Sequence, residues 1–212
     1  MKPMDHLALL INRYPVLEPV KEAIFQAYCL LEKCYEGGGK LLIGGNGGSS
    51  VDSEHIVGEL MKGFCKKRQV PEDFAGKLME ADKERGKYLA EKLQQGLPAI
   101  ALTGHTALST AYLNDVDGLL TIAQQLYGYG KKGDVFLGIS TSGNSENILY
   151  AAAAARAMEI PVIALTGKDG GRLAEAADVA IIVPEQETYR IQELHLPVYH
   201  ALCLMLEERF FG

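Results

Sequence analysis

Two short loops rich in glycine and hydroxyl side chains are the parts of this sequence best suited to bind an anion. The first spans residues 45–50 (Gly-Asn-Gly-Gly-Ser-Ser) and the second spans residues 140–145 (Ser-Thr-Ser-Gly-Asn-Ser). Each precedes a segment that can form a helix, so backbone N–H groups and a helix N-terminus would face the same ligand. Glycine alone would explain one tight turn, but five of the six side chains in the second loop can form hydrogen bonds. Together the loops predict a phosphorylated ligand.

The two loops do not match the common nucleotide-binding motifs. The first loop lacks the Gly-Lys-Ser/Thr ending of a P-loop. Its glycines only approximate the dinucleotide-binding pattern, and no acidic residue ends a second strand about 20 residues later, where a ribose would need one. The sequence therefore predicts no nucleotide and no other organic cofactor.

A histidine and a glutamate lie one turn apart on the helix predicted after the first loop. His55 and Glu59 are four positions apart, which places their Cβ atoms about 5–6 Å from each other. Asp52 shares their side of the helix. The residues predicted to face the core lie on the opposite side: Val57, Leu60, Met61 and Phe64. Taken alone, the pair is more simply explained as part of a solvated face, but its closeness to a phosphate loop makes it a candidate for chemistry on a bound sugar.

A third group of polar side chains precedes the C-terminal apolar segment. Gln192, His195 and His200 lie within nine residues of one another, together with a glutamate. Because Pro197 has no N–H, the regular helix is predicted either to begin near it or to bend there. Each histidine taken singly is more often a packed or surface residue than a catalyst. Their combination with the amide and the carboxylate suggests a functional site.

The elements that would position these groups alternate between strands and helices. Continuous apolar runs indicate strands that are covered on both faces, as in a parallel sheet between two layers of helices. Five runs of this kind predict strands: Lys40–Gly44, Pro98–Thr103, Asp134–Ser140, Pro161–Thr166 and Val179–Pro184. Such sheets bind ligands at the carboxyl ends of their strands, and both loops lie at such ends.

Two segments stand outside this alternation. Residues 1–38 contain an amphipathic helical region, clearest from about residue 15 to residue 35. Residues 65–96 are rich in Lys, Glu, Asp and Gln, with a charged helix predicted over residues 77–95. We interpret the charged segment as a surface insertion in one domain that spans residues 1–212.

Composition narrows the class of protein. A chain of 212 residues that is 48% hydrophobic can bury one substantial core. Its net charge of -6 argues against nucleic acid or an acidic membrane surface as a partner. The one compact basic run, residues 66–68, is predicted to be a solvated loop. The cysteines have no CxxC spacing, and neither a leader nor an apolar run of about 20 residues is present, so we expect a reduced, cytoplasmic protein.

The motifs together resemble the sugar-isomerase (SIS) domain family, and within it the phosphoheptose isomerases. They occur in the family's order and cover almost the whole chain apart from the charged segment. The motifs that carry the resemblance are Gly45–Ser49, Asp52, His55 with Glu59-Leu60, Asn114-Asp115, Gly133–Val135, Ile139–Ser145, Leu165–Gly171 and Arg190–His200.

The resemblance implies a fold, a reaction and roles for residues. The fold is a three-layer α/β/α sandwich, flavodoxin-like, with a five-stranded, mainly parallel sheet. The reaction is the aldose–ketose isomerisation of sedoheptulose 7-phosphate to D-glycero-D-manno-heptose 7-phosphate through an enediol, with Glu59 as the base and His200 as the acid. The residues implied to bind the substrate are Asn46, Gly47, Gly48, Ser49, Asp115, Ser140, Thr141, Ser142, Ser145 and Gln192.

The resemblance also implies a homotetramer whose active sites lie between subunits. Some relatives hold a zinc ion with residues that match four positions here: His55, Glu59, Gln192 and His200. Nitrogen and oxygen ligands of these types are compatible with zinc. Zinc is therefore the one metal that the sequence suggests.

Departures from the family pattern leave alternatives open. Lys62-Gly63 stands where these isomerases usually show Gly-Arg, and His105 and Tyr189 stand where an Asp is found. The chain could thus be an SIS isomerase of another sugar phosphate. It could also be a non-catalytic SIS protein that binds a phosphosugar or associates with a replication initiator, although such a protein would not need both Glu59 and His200.

Overall fold

The computed structural model describes residues 1–212 and contains one sheet of five parallel strands. The strands are β1 (Leu41–Gly44), β2 (Ala99–Ala101), β3 (Val135–Ile139), β4 (Val162–Thr166) and β5 (Val179–Ile182). Their order across the sheet is β2-β1-β3-β4-β5, and every neighbouring pair is parallel. Each strand lies within one of the five apolar runs, so the predicted sheet is confirmed.

Ten α-helices accompany the sheet. They are α1 (Pro3–Arg13), α2 (Lys21–Glu36), α3 (Gly48–Met61), α4 (Glu72–Ala81), α5 (Lys83–Lys92), α6 (Thr106–Asp115), α7 (Thr121–Tyr129), α8 (Glu146–Ala157), α9 (Gly171–Ala176) and α10 (Thr188–Phe211). None of them combines the length and apolar character that a bilayer crossing requires.

The helices cover the sheet on both faces, which confirms the three-layer α/β/α fold. Successive strand residues point to opposite faces. Leu41 and Ile43 therefore pack into a large core with α1, α2, α3 and α10, while Leu42 packs into a smaller core with α7, α8 and α9. Both faces of the central strands are buried, as their continuous apolar sequence requires.

The position of the ligand crevice follows from this arrangement. Strands β1 and β3 are neighbours, with Gly44 opposite Gly138. The helix after β1 lies on one face of the sheet and the helix after β3 lies on the other. In open parallel sheets, ligands bind where the chain diverges in this way, outside the carboxyl ends of the two strands. Both glycine-and-hydroxyl loops lie at that point.

The charged segment forms two helices where one was predicted. Asp82 interrupts the run with an extended backbone (φ -156°, ψ 112°), and its Oδ1 accepts hydrogen bonds from the backbone N–H groups of Glu84 and Arg85 at 3.1 and 2.9 Å. Asp82 is therefore the N-cap of α5, and its hydrogen bonds favour the start of a new helix over the continuation of α4. The two helices pack closely at Gly86, where a Cβ atom would lie 2.1 Å from the Leu78 carbonyl oxygen.

The C-terminal helix does not begin near Pro197, so that alternative was wrong. Helix α10 begins at Thr188 and continues through the proline. Proline removes one backbone hydrogen bond, but residues on both sides of it are buried, among them Ile191 and Val198. This packing holds the first turns helical, and the polar residues of the segment lie on the helix itself.

Two expectations about burial were only partly right. Leu60 is buried, and Val57 and Phe64 pack against the core as predicted, but Met61 is exposed. The other buried residues of α3 are Ser49, Ser53 and Ile56. In the basic run, Arg68 is only 2% exposed. Its guanidinium forms a buried ion pair with Glu207. This pairing compensates part of the cost of removing the positive charge from water.

Candidate active site

The first loop turns the N-terminus of α3 towards the crevice. Gly47 has a φ of +55°, a conformation that other residues rarely adopt. A Cβ atom at Gly45 would lie 2.4 Å from the Ser49 carbonyl oxygen, and one at Gly48 would lie 2.7 Å from Gln192 Nε2. The loop therefore needs glycine at positions 45 and 47, and at Gly48 it lies against the predicted substrate-binding amide of Gln192 on α10.

The second loop keeps its hydroxyl groups close together at the start of α8. Ser140 Oγ lies 2.9 Å from Ser145 Oγ, and Ser142 Oγ accepts a hydrogen bond from the Asn144 N–H at 3.2 Å. Ser145 occupies the N-cap position, but its hydroxyl makes no bond to the helix backbone. The first turn of α8 thus has no side-chain cap, and an anion can take that place. Thr141 lies beside these serines and is half-buried.

The first loop contacts the start of α8, the helix that follows the second loop. Asn46 of the first loop and Asn147 in the first turn of α8 exchange two side-chain hydrogen bonds, of 2.9 and 2.8 Å. An open cavity of about 200 Å³ is lined by both asparagines, Ser50 and Thr103. The first loop and the first turn of α8 therefore meet at the carboxyl edge of the sheet, whereas no residue of the second loop lines this cavity.

The carboxylate and imidazole groups form a second cluster, where α3 packs against α10. His55 Nε2 lies 3.2 Å from Glu59 Oε1 and 3.4 Å from His200 Nε2. The Tyr199 hydroxyl donates to Asp52 Oδ1 at 3.1 Å and lies 3.0 Å from His55 Nδ1. Because that hydroxyl has a single proton, His55 must donate its Nδ1–H to the phenol oxygen when the phenol donates to Asp52.

The surroundings tune these groups for proton transfer. Glu59 is largely buried, its Oε2 makes no hydrogen bond, and its nearest cation is Lys62 at 3.6 Å. An oxygen of this kind can accept a proton from a substrate. Burial, and then the neighbouring His55, lower the pKa of His200, against a smaller opposing effect of Glu59. Burial also raises the pKa of Asp52 and, together with Asp52, raises that of Tyr199.

Within one chain the phosphate loops and the acid–base cluster are separate. Ser49 and Glu59 are ten residues apart on α3, which corresponds to about 15 Å along the helix axis. Gln192 and His200 are eight residues apart on α10, or about 12 Å. Asp115 ends α6 in an exposed position and accepts a hydrogen bond from Asn114 Nδ2 at 2.8 Å. It makes no hydrogen bond or ion pair with either group.

Tyr199 and Asn147 belong to the site but were not predicted from the sequence. Tyr199 adjoins His200 in sequence but was not singled out, and its buried hydroxyl links two side chains of α3. Asn147 pairs with Asn46, which lies 101 positions earlier. Sequence periodicity relates only residues that are close in the chain, so it could not predict this contact. The Phe64 ring packs against His200 with their centroids 5.4 Å apart.

Comparison with known proteins places this architecture among sugar-phosphate enzymes. Residues 83–167 match the family model described as the SIS domain. The chain is 37% identical to the phosphoheptose isomerase of Nitratiruptor sp. over 195 residues, which cover 92% of this chain and 90% of that protein. It is 40% identical to the phosphoheptose isomerase of Helicobacter hepaticus, over 87% of this chain and 81% of that protein.

Solved structures give the same result. The fold matches phosphoheptose isomerase from Neisseria gonorrhoeae with a TM-score of 0.73 and 34% identity, over 96% of both chains. It matches a phosphoheptose isomerase from Francisella tularensis with a TM-score of 0.76 and 32% identity, over 98% of this chain and all of the other.

Proposed function

The chain belongs to the phosphoheptose isomerase family of SIS-domain proteins, and we propose that it interconverts sedoheptulose 7-phosphate and D-glycero-D-manno-heptose 7-phosphate. The observation that carries this proposal is the meeting of Glu59, His55 and His200 at the contact of α3 and α10. A protein that only binds a phosphosugar needs the two loops but has no use for a carboxylate with a free, buried oxygen beside two imidazoles.

The proposed reaction moves one proton between neighbouring carbons. Glu59 removes a proton from C1 of the ketose, which gives an enediol, and the same carboxyl group returns a proton to C2. Meanwhile His200 donates a proton to the carbonyl oxygen at C2 as the enediol forms. The deprotonated imidazole of His200 then accepts the proton of the C1 hydroxyl, which gives the aldehyde and restores His200 to its starting state. A lowered pKa makes the protonated imidazole of His200 a stronger acid, as this step requires.

The two loops would supply the binding energy that positions the sugar. Backbone N–H groups at the N-termini of α3 and α8 and the hydroxyls of Ser49, Ser140, Thr141, Ser142 and Ser145 suit a phosphate group. Asn46, Gln192 and Asp115 would contact the sugar itself. Because these contacts lie away from the reacting carbons, they can hold the substrate in a reactive orientation without taking part in the chemistry.

We further propose that the active site is completed between subunits of a homotetramer. About 15 Å of helix separates Ser49 from Glu59, and about 12 Å separates Gln192 from His200. The phosphate and the reacting carbons lie at the two ends of one substrate, and groups this far apart on one chain are poorly placed to hold both ends at once. Copies of the chain that face one another can combine the loops of one subunit with the acid–base cluster of the next.

Zinc is a further part of the proposal. With His55 donating its Nδ1–H to Tyr199, the lone pair on its Nε2 faces Glu59 Oε1 and His200 Nε2, and three electron-pair donors of the types that zinc accepts then face one another. The three side chains do not surround a common point as a formed metal site would. Zinc, when bound, would supply the polarisation of the substrate carbonyl that protonated His200 supplies in its absence, while Tyr199 would fix the orientation of His55.

The proposal is tested by incubating the purified protein with a panel of sugar phosphates and identifying the products. We expect aldose product from sedoheptulose 7-phosphate and little from hexose or pentose phosphates. A parallel measurement of bound metal, with activity before and after chelation, tests the zinc. Turnover of a different sugar phosphate alone would favour the second alternative, and binding without turnover of any would favour the non-catalytic one.

A further inference from the structure

A buried ion pair lies directly behind the acid–base cluster. Arg68 and Glu207 are 2% and 1% exposed. Arg68 Nε and Nη2 both lie 2.9 Å from Glu207 Oε1. The same guanidinium donates from Nη1 to the Leu60 carbonyl at 2.7 Å and from Nη2 to the Glu59 carbonyl at 3.2 Å. Arg68 therefore binds the last turn of α3, including the backbone of the proposed base.

The carboxylate of this pair holds the chain that follows α3. Glu207 accepts hydrogen bonds from the backbone N–H groups of Phe64 and Cys65, each at 2.8 Å. Burial alone would raise the pKa of Glu207, but these N–H groups and Arg68 outweigh it and lower that pKa. The Phe64 ring, fixed in this way, packs against the imidazole of His200.

The pair thus connects the two helices that carry the acid and the base. Glu207 lies seven residues, or two turns, after His200 on α10, and Arg68 binds the carbonyl of Glu59 on α3. A buried ion pair adds little to stability compared with apolar residues of similar size, because both charges must be desolvated. Stability is therefore a poor explanation of its presence. A directional contact such as this pair can instead fix the distance between Glu59 and His200.

We propose that Arg68 and Glu207 are positioning residues that set the geometry of the Glu59–His200 pair. The inference rests on the proposed isomerase function, since it assigns Arg68 and Glu207 a role in that chemistry. Neither side chain reaches the substrate. Arg68 orients the last turn of α3, and Glu207 holds Phe64 and Cys65, which follow that helix, against α10.

The decisive variant is the double substitution Arg68→Met with Glu207→Met. It removes both charges, so no buried charge is left unpaired, and such replacements are often neutral or stabilising. Here the substitution also leaves the Glu59 and Leu60 carbonyls and the Phe64 and Cys65 N–H groups without these partners, so we expect a lower melting temperature in a chain that is still folded at the assay temperature. We expect kcat per folded molecule to fall by about 10-fold or more, because small misplacements of reacting groups cost rate. KM should change less than about 2-fold, since the phosphate contacts are untouched.

Two further variants keep the test decisive. Arg68→Lys keeps the charge but loses the forked geometry, so it should fold and show an intermediate kcat. Arg209→Met is the matched control. Arg209 lies on α10, as Glu207 does, but its ion pairs with Glu32 and Glu36 of α2 are exposed. A kcat within about 2-fold of the control in both the double variant and Arg68→Lys would overturn the proposal.

Hydrogen exchange separates this inference from the function on which it rests. If the unchanged protein fails to isomerise sugar phosphates, the proposed function fails. The positioning role of the Arg68–Glu207 pair is then judged by amide exchange in residues 56–65 and 196–204 of the double variant. Faster exchange in both segments supports the positioning role, and exchange equal to that of the unchanged protein overturns it.

Discussion

Glu59 is the residue on which the proposed chemistry depends most directly. Replacement by Gln keeps its size but removes the basic oxygen. We expect Glu59→Gln to lower kcat by about 10³-fold, within the range of general-base catalysis, with the oligomer and the melting temperature retained. Steady-state kinetics and light scattering check this. Glu22→Gln, an exposed substitution on α2, is the control and should retain full activity; comparable kcat values in the two variants would contradict the assignment.

His195 provides a prediction about stability. It is fully buried, its Nε2–H donates to the Thr166 carbonyl at 3.1 Å, and its Nδ1 has no partner. Burial lowers its pKa to about 4. The unfolded chain takes up a proton near pH 6.5, but the folded chain does not, so this residue's stabilising effect is complete above pH 6.5 and is lost as the pH falls towards 4.

The expected size of this effect is about 3 kcal/mol in the free energy of unfolding. Urea unfolding between pH 7 and pH 4 measures it, with His195→Gln as the comparison, because Gln keeps a donor for Thr166 and does not titrate. The unchanged protein should lose that much more stability than the variant over this range. Parallel pH profiles would show that His195 is protonated in the folded state.

At the residue scale, sequence is informative where the partners are close in the chain. The spacing of His55 and Glu59 places them together on α3, and the structure gives them a 3.2 Å contact. The hydroxyl-rich loop could be identified for the same reason. Arg68 could not, because its partner lies 139 residues away, and three adjacent cations are usually solvated.

At the scale of elements, the two helices α4 and α5 form the segment least tied to the rest of the fold. Gly86 is their only buried residue. The ends of the segment are close together, because Gln69 and Gln94 form an antiparallel bridge. We therefore expect a chain in which residues 70–93 are replaced by two glycines to fold with a melting temperature within about 4 °C of the original.

Thermal unfolding followed by circular dichroism checks this expectation, and light scattering on the same sample gives the oligomeric state. A folded chain that no longer assembles would assign the exposed apolar side chains of this segment, including Phe74 and Tyr88, to a subunit contact. Failure to fold would contradict the prediction and show that the core needs the segment.

The strands could be predicted because a buried parallel strand has a continuous apolar sequence. The ends of the helices could not, because they depend on single contacts. Asp82 splits a continuous charged run by capping α5. Pro197 does not end α10, since burial on both sides of it keeps the helix intact.

At the scale of the whole molecule, the separation of the phosphate loops from the acid–base cluster predicts that subunits complement one another. Glu59→Gln lacks the base, and a double Ser140→Ala, Ser142→Ala variant lacks phosphate contacts. When the two are unfolded together and reassembled, about a quarter of shared sites combine intact halves from different chains. We expect activity to reappear in the mixture at substrate levels where each parent is nearly inactive.

Reassembled samples of each parent alone are the controls. A mixture no more active than their average would mean that both halves of each site come from one chain. No single sequence shows this arrangement directly, because residues that meet across subunits leave no spacing pattern. In this chain it is inferred from about 15 Å of helix between Ser49 and Glu59.

The central claim is that Glu59 moves a proton between two carbons of a sugar phosphate held by the paired loops. Incubation with sedoheptulose 7-phosphate in D₂O, followed by NMR, tests it most directly. The account predicts an aldose heptose 7-phosphate with deuterium at C2, formed by the unchanged protein and not by Glu59→Gln. Absence of the aldose, or equal conversion by the variant, would contradict it.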